Sequence, residues 1–209
     1  MPDRTATTLL RLARDPRSGQ LRRGSALDVG LRAALFTDLV FAGHVISASR
    51  APSAVTDHGT GDRFLDILRD AVARRPAVSW PRWFRHVRSD RSALIDELVE
   101  QRRWQQQSAG LRPSFRDGEP EGILELGRHL RAVAAHHADP VDARDAALAA
   151  LCKICGALDR PEPRAIRKDL QPLLATIGDP DDPVRGAIHA ALGGASVTIR
   201  RSRWGKGIG

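Results

Sequence analysis

The stretch Ser25–Ile46, SALDVGLRAALFTDLVFAGHVI, carries a strong helical pattern. Its apolar residues recur every three or four positions, the spacing that places side chains on one face of an α-helix. They are Leu27, Leu31, Ala34, Leu35 and Leu39. Ser25 is a candidate N-cap, with Asp28 three residues further on, and Gly43 is a candidate stop. The stretch therefore predicts an amphipathic helix, followed by a short strand at His44–Ser47.

Similar patterns on both sides of this stretch predict a mainly α protein. TTLLRLARD precedes it, and RFLDILRDAVARR, with Asp62 as its cap, and SALIDELVEQRRW follow it. Four more helical patterns begin at Glu121, Val141, Pro163 and Pro183. The segment 49–61 predicts a loop, and QQQSAGLRPSFRDGEP predicts a loop or a β-hairpin. We predict one globular domain over residues 1–194 and a basic, loosely held tail over residues 195–209.

Composition narrows the class of protein. The chain has 209 residues, 42% of them apolar, and a formal net charge of +8. Such a charge favours an anionic partner, whether nucleic acid, a membrane surface or a phosphorylated ligand. The N-terminal segment lacks the apolar run of a signal peptide, and no segment has the length of apolar run that a membrane-spanning helix needs. We therefore expect a cytoplasmic protein whose membrane contact is peripheral.

Catalytic and metal-binding motifs are not recognisable in the sequence. Cys152 and Cys155 form a C-x-x-C pair, but they lie in an alanine- and leucine-rich helix without a second cysteine pair. Core packing explains them better than zinc or redox chemistry. His136 and His137 are typical of a solvated helix end. The chain has no phosphate-binding glycine loop and no nucleophile or zinc-protease motif. We predict no enzymatic activity, no metal and no cofactor.

The stretch Ser79–Arg91, SWPRWFRHVRSDR, concentrates aromatic and basic residues. Arg85, Arg88 and Arg91 are spaced by three, which would align them on one flank of a helix, and Asp90 would point away from that flank. Guanidinium groups in such a row can form bidentate hydrogen bonds with phosphate oxygens. The preceding Trp80, Trp83 and Phe84 are either core residues or residues of a lipid headgroup boundary.

Four segments, in the same order, resemble the Golgi phosphoprotein 3 family, which includes eukaryotic Golgi adaptors and many actinobacterial proteins. They are GLRAALFTDLVFAGHV, TGDRFLDILRDAV, RHVRSDRSALIDELVEQRRW and DPVDARDAALAALCKICGAL. The resemblance extends from about Thr7 to Gly194, and this chain is most similar to the actinobacterial type. It implies a mainly helical domain of packed amphipathic helices with one β-hairpin.

The resemblance also implies a ligand and a site. Proteins of the family bind phosphatidylinositol 4-phosphate at a membrane face, and their phosphate-binding arginines correspond to Arg32, Arg88 and Arg91. Arg23 stands where the family has a tryptophan of the lipid site, which implies a more electrostatic and less headgroup-selective site. Arg23 and Arg85 would add supporting charge. The candidates for membrane contact are Trp83, Phe84, Leu111 and Phe115.

The sequence thus predicts a peripheral module for anionic phospholipid or phosphoinositide headgroups, at the inner face of the cytoplasmic membrane. The alternative is a protein-interaction or scaffold domain whose basic face binds an acidic protein partner, or a second copy of the chain. Nucleic acid ranks third, because the sequence has no recognised nucleic-acid reading element.

Overall fold

A computed structural model describes residues 4–22, 24–48, 51–56, 58–86, 91–108, 113–135, 141–158, 166–177 and 183–204. Within these ranges the chain is mainly helical. Its helices are α1 (Thr5–Leu12), α2 (Ser25–Phe41), α3 (Arg63–Ala73), α4 (Trp80–His86), α5 (Arg91–Glu100), α6 (Pro120–Ala134), α7 (Ala143–Cys155), α8 (Ile166–Ile177) and α9 (Pro183–Trp204). Its strands are β1 (Val45–Ala48), β2 (Ala51–Ala54), β3 (Trp104–Ser108) and β4 (Ser114–Asp117). The predicted mainly α single domain is confirmed.

Helix α2 lies at the centre of the fold, where it packs against α1, α7 and α9. It begins at Ser25, so Gly24, rather than Ser25 as predicted, occupies the N-cap position. Gly24 has a φ of 137°, which a residue with a side chain rarely adopts. The predicted stop is confirmed: α2 ends at Phe41 and Gly43 follows with a φ of 74°.

The strands form two separate antiparallel pairs, β1 with β2 and β3 with β4. The β3–β4 pair confirms the predicted hairpin, and β1 confirms the predicted short strand. The predicted loop over 49–61 is wrong at β2, where Pro52 pairs with Ser47. Proline is compatible with this position because the pair has only edge strands.

The tail prediction is wrong over the described part of 195–209. Helix α9 continues to Trp204, well beyond Gly194. Ala195 and Ile199 are buried at 0% and 1% exposure. They continue the helical spacing of the buried Leu192, so core packing outweighs the poor helix propensity of Gly193 and Gly194. The compact unit therefore includes at least the beginning of the predicted tail.

The cysteines pack as the sequence predicts. Cys152 is fully buried, and burial raises the pKa of its thiol well above the ordinary value. Cys155 is half-buried, and its Sγ lies 3.4 Å from the carbonyl oxygen of Ala26 on α2. Neither cysteine forms a disulfide bond, and no cluster of potential metal ligands exists among the described residues. His136 and His137 lie outside the described residues.

Gly30 permits the close approach of α2 and α7, because a Cβ at this position would overlap the Sγ of Cys155. We expect Gly30→Ala to lower the free energy of unfolding by about 1–3 kcal/mol, the usual cost of overpacking a core. Cys155→Ala should restore most of this loss. In that background the new Cβ would lie 3.6 Å from the Cβ of residue 155 and 3.4 Å from Leu9 Cδ2. Urea unfolding of the two single variants and the double variant measures the coupling, and purely additive effects would contradict it.

Candidate functional site

Helix α4 is anchored by an aromatic cluster. The ring centroid of Phe36 on α2 lies 5.0 Å from that of Trp80, 5.9 Å from that of Trp83 and 5.6 Å from that of Phe84, and each pair is arranged edge-on. On the side of α9, Gly194 leaves room for this cluster: a Cβ there would lie 2.9 Å from the Phe84 ring. The first half of the aromatic and basic stretch is therefore a core element that packs between α2 and α9.

The structure contradicts the predicted membrane contact of three residues. Trp83 and Phe84 are 2% and 0% exposed, because α2 and α9 cover them. Phe115 is 3% exposed and stacks on Trp104, with 5.0 Å between ring centroids. Leu111 lies outside the described residues. Aromatic side chains of α4 and β4 thus stabilise the domain rather than contact a membrane.

Arg32 is held at the junction of α2 and α4. Its side chain is half-buried, and Nη1 donates a hydrogen bond to the main-chain carbonyl oxygen of Phe84. Its Nε is buried without a hydrogen-bond partner among the described residues. Burial lowers the pKa of the guanidinium from its ordinary value, and the negative charge of Asp28 opposes that shift. A half-buried guanidinium is a favourable position for an anion, because charge-assisted hydrogen bonds are strong where water is partly excluded.

Arg91 is the first residue of α5 and approaches the same acidic residue. Its Nη1 lies 3.3 Å from Asp28 Oδ1, and the two side chains are 36% and 35% exposed. Asp28 precedes Arg32 by one helical turn on α2. Two of the three predicted phosphate-binding arginines therefore interact with one carboxylate: Arg91 forms an ion pair with it, and Arg32 interacts with it electrostatically at longer range.

The other predicted arginines are not part of this described geometry. Arg88 and Arg23 lie outside the described residues. Arg85 is on α4, is exposed and has its Nε 3.3 Å from the carbonyl oxygen of Pro81. It contributes positive charge to the surface of α4.

Asp28 is the residue of this site that the sequence did not reveal. The sequence suggested that the arginine flank lacks a neutralising acid, and this was wrong for Arg91. The spacing of Asp28 and Arg32, four residues apart on a predicted helix, was a usable signal for half of the arrangement. The contact between Asp28 and Arg91 joins two distant segments, and a single sequence does not show it.

The fold and this geometry define a class of protein: a mainly helical domain, with two strand pairs among its described residues, in which α2 and α5 place an arginine each near one half-buried carboxylate. Residues 6–194 match the model of the Golgi phosphoprotein 3 (GPP34) family, and the chain belongs to that family. A search of curated proteins found no match. None of the described helices is long and apolar enough to cross a membrane.

Proposed function

We propose that this protein binds anionic phospholipid headgroups, with phosphatidylinositol 4-phosphate as the preferred class, at the cytoplasmic face of a membrane. The observation that carries the proposal is that Arg91 forms an ion pair with Asp28 while the half-buried Arg32, one helical turn away, interacts electrostatically with the same carboxylate. Arg88 is the third proposed phosphate ligand, by the family resemblance. Arg85 and Arg23 are proposed to add supporting charge.

The chemistry of the site suits a phosphate group. Each guanidinium offers a planar set of donors that matches two phosphate oxygens. Asp28 forms an ion pair with Arg91, and its negative charge favours the charged form of Arg32. A phosphate that carries up to two negative charges would compete with this single, partly exposed carboxylate for both arginines. Because such a contact is largely electrostatic, we expect attachment to weaken as salt is added.

Replacing Arg32 and Arg91 by glutamine should weaken binding to vesicles by about 30-fold, since each arginine near anionic lipid contributes on the order of 1 kcal/mol. The measurement is co-sedimentation with phosphatidylcholine vesicles containing phosphatidylinositol 4-phosphate, beside vesicles that carry the same charge as phosphatidylserine. Arg128→Gln is the control for the loss of a surface charge outside the site. It removes one positive charge from the exposed face of α6, a helix that packs against α1, α7 and α8.

Asp28→Asn is expected to change vesicle binding in the opposite direction in the same assay. If Asp28 competes with the lipid phosphate, its removal should tighten binding, although α2 loses a favourable charge in its first turn. A purely structural ion pair would give lower stability without tighter binding. Equal vesicle binding by wild type and the Arg32→Gln, Arg91→Gln double variant would contradict the proposed site. Binding of an acidic protein without any binding to vesicles would favour the interaction-domain alternative.

A further inference from the structure

A second group of arginines surrounds a cavity of about 170 Å³ between the α1–α2 loop, α6 and the end of α7. Arg11, Arg14, Arg22 and Arg131 line it, and the described residues of its lining include no aspartate or glutamate. The apolar part of the wall includes Ile123 and Gly127 of α6 and Leu158 after α7. Since none of these residues belongs to the Arg32–Asp28–Arg91 site, the cavity is a separate feature of the molecule.

The α1–α2 loop fixes the positions of Arg14 and Arg22. The loop folds back on itself: the Arg22 N–H donates to the Ala13 carbonyl oxygen at 3.0 Å, and Arg14 forms an antiparallel bridge with Leu21. The Gly19 carbonyl oxygen then accepts a hydrogen bond of 2.9 Å from Phe115 N–H of β4. Two arginines therefore project from a backbone that is tied to a strand, so little ordering would be needed to bind a ligand.

Most hydrogen-bond donors of these two side chains are unused. Arg14 Nη1 donates to the Phe115 carbonyl oxygen at 3.2 Å, and its Nε is buried without a partner among the described residues. Arg22 Nη1 donates to the Gly156 carbonyl oxygen, at the end of α7. Each guanidinium has five N–H donors, so one bond to a neutral carbonyl leaves most of them available.

The positive charge of Arg14 and Arg22 is also poorly compensated. Neither forms an ion pair with a carboxylate in the described part of the chain. Asp15, which interacts with Arg22 at longer range, is exposed and accepts hydrogen bonds from Arg17 and Ser18. Arg11 differs, because it forms a buried ion pair with Asp117. The wall of the cavity therefore holds two arginines, Arg14 and Arg22, that form no ion pair with the described carboxylates and lie beside apolar surface.

We propose that this cavity binds a small oxyanion, namely a phosphate ion or the phosphate group of a small phosphomonoester. Arginine forks are the side chains best suited to bind phosphate oxygens. The volume of the cavity is well below the roughly 300–1,000 Å³ that is typical of binding sites for drug-sized ligands. Its size thus limits the ligand to the phosphate and a short apolar part beside Ile123 and Leu158. The proposal does not rest on the lipid-binding function, because it uses different residues.

The test is calorimetric titration of the full chain with inorganic phosphate and with glycerol 3-phosphate, at constant ionic strength set with chloride. We expect saturable binding by wild type that weakens at least about tenfold in Arg14→Gln and in Arg22→Gln, which each lose a charged donor. Gly127→Val tests whether phosphate binding requires the space of the cavity. It keeps all four arginines, and its Cβ would meet Leu12, Leu158 and Arg131 at 3.6–3.8 Å, so the added methyl groups must occupy the cavity. Arg128→Gln should bind like wild type.

Several outcomes would overturn the proposal: no saturable binding by wild type, unchanged binding in the Arg14→Gln and Arg22→Gln variants, or loss of binding in Arg128→Gln. If circular dichroism shows that Gly127→Val does not fold, the Arg14→Gln and Arg22→Gln variants alone decide whether the cavity binds phosphate. The Arg32→Gln, Arg91→Gln double variant should still bind phosphate; if it alone loses binding, the phosphate occupies the lipid site and this proposal fails. Weaker vesicle binding by Arg14→Gln would identify a lipid headgroup as the source of the phosphate, whereas unchanged vesicle binding would identify a soluble phosphate.

Discussion

Replacing Asp117 by alanine is expected to lower the free energy of unfolding by about 3–5 kcal/mol, the usual cost of breaking a buried ion pair from one side. Asp117 is 2% exposed and Arg11 is 4% exposed. The carboxylate accepts hydrogen bonds from Arg11 Nε at 2.9 Å and Arg11 Nη2 at 2.7 Å. The pair joins α1 to β4, so the variant would leave the arginine of α1 buried without its counter-charge.

Asp117 also accepts hydrogen bonds from Trp104 Nε1 at 3.0 Å and from the Glu119 N–H at 2.9 Å. These donors would lose their acceptor as well, and an unsatisfied buried donor is costly. Chemical denaturation measures the loss. Glu119→Ala is the matched control, since Glu119 approaches the same Arg11 at 3.4 Å but is 71% exposed. Exposed pairs contribute little, so the control should change stability by less than about 1 kcal/mol. Similar losses of unfolding free energy in Asp117→Ala and Glu119→Ala would contradict the claim that burial makes the Asp117 ion pair important.

The effect of Asp117 should depend on pH. Burial pushes the pKa of Asp117 upwards, but the hydrogen bonds from Arg11, Glu119 and Trp104 outweigh burial and hold the pKa below its ordinary value of 3.8. The folded state therefore favours the ionised form. The stabilisation of the folded state by ionised Asp117 is fully present above pH 3.8. It is lost as the pH falls through the pKa of Asp117 in the folded state, which lies below 3.8. The difference in stability between wild type and Asp117→Ala should accordingly narrow at acidic pH.

The fold was predictable from the sequence where apolar spacing is long and unbroken. The pattern from Leu27 to Leu39 gives α2 because a buried helix needs an apolar side chain every three or four residues. Two segments were not predictable in this way. The segment APSA of β2 contains a proline, and the continuation of α9 beyond Gly194 follows two glycines and contains several basic residues. Both are ordered by contacts with other elements, β2 with β1 and α9 with α2 and α4.

The candidate site was predictable in its charges but not in its pairing. The arginine row and the family resemblance pointed to Arg32 and Arg91; Arg91 forms an ion pair with Asp28, and Arg32 interacts electrostatically with the same residue. Which acid faces Arg91 depends on how α2 packs near α5, and this long-range geometry leaves no pattern in one sequence. The cavity around Arg14 and Arg22 was missed for the same reason, because the α1–α2 loop, α6 and α7 form it jointly.

Trp83→Ala is the second change for which we expect a large effect, a loss of about 3–5 kcal/mol in the free energy of unfolding, the usual cost of truncating a buried aromatic side chain. Trp83 is 2% exposed and packs edge-on against Phe36. A tryptophan at a lipid surface would behave in the opposite way: alanine would leave stability unchanged and weaken vesicle binding. Thermal or urea unfolding, measured beside vesicle co-sedimentation, separates the two roles.

Trp83→Phe refines this test because it keeps an aromatic ring. The indole N–H of Trp83 is buried and has no hydrogen-bond partner among the described residues. Phenylalanine removes that costly unpaired donor while it gives up part of the packing, so the two effects partly cancel. We expect Trp83→Phe to lose much less stability than Trp83→Ala and to bind vesicles like wild type. A stable Trp83→Ala protein with impaired vesicle binding would instead indicate that Trp83 contacts the membrane. The packing of α4 against α2 and α9 would then have to differ from that described.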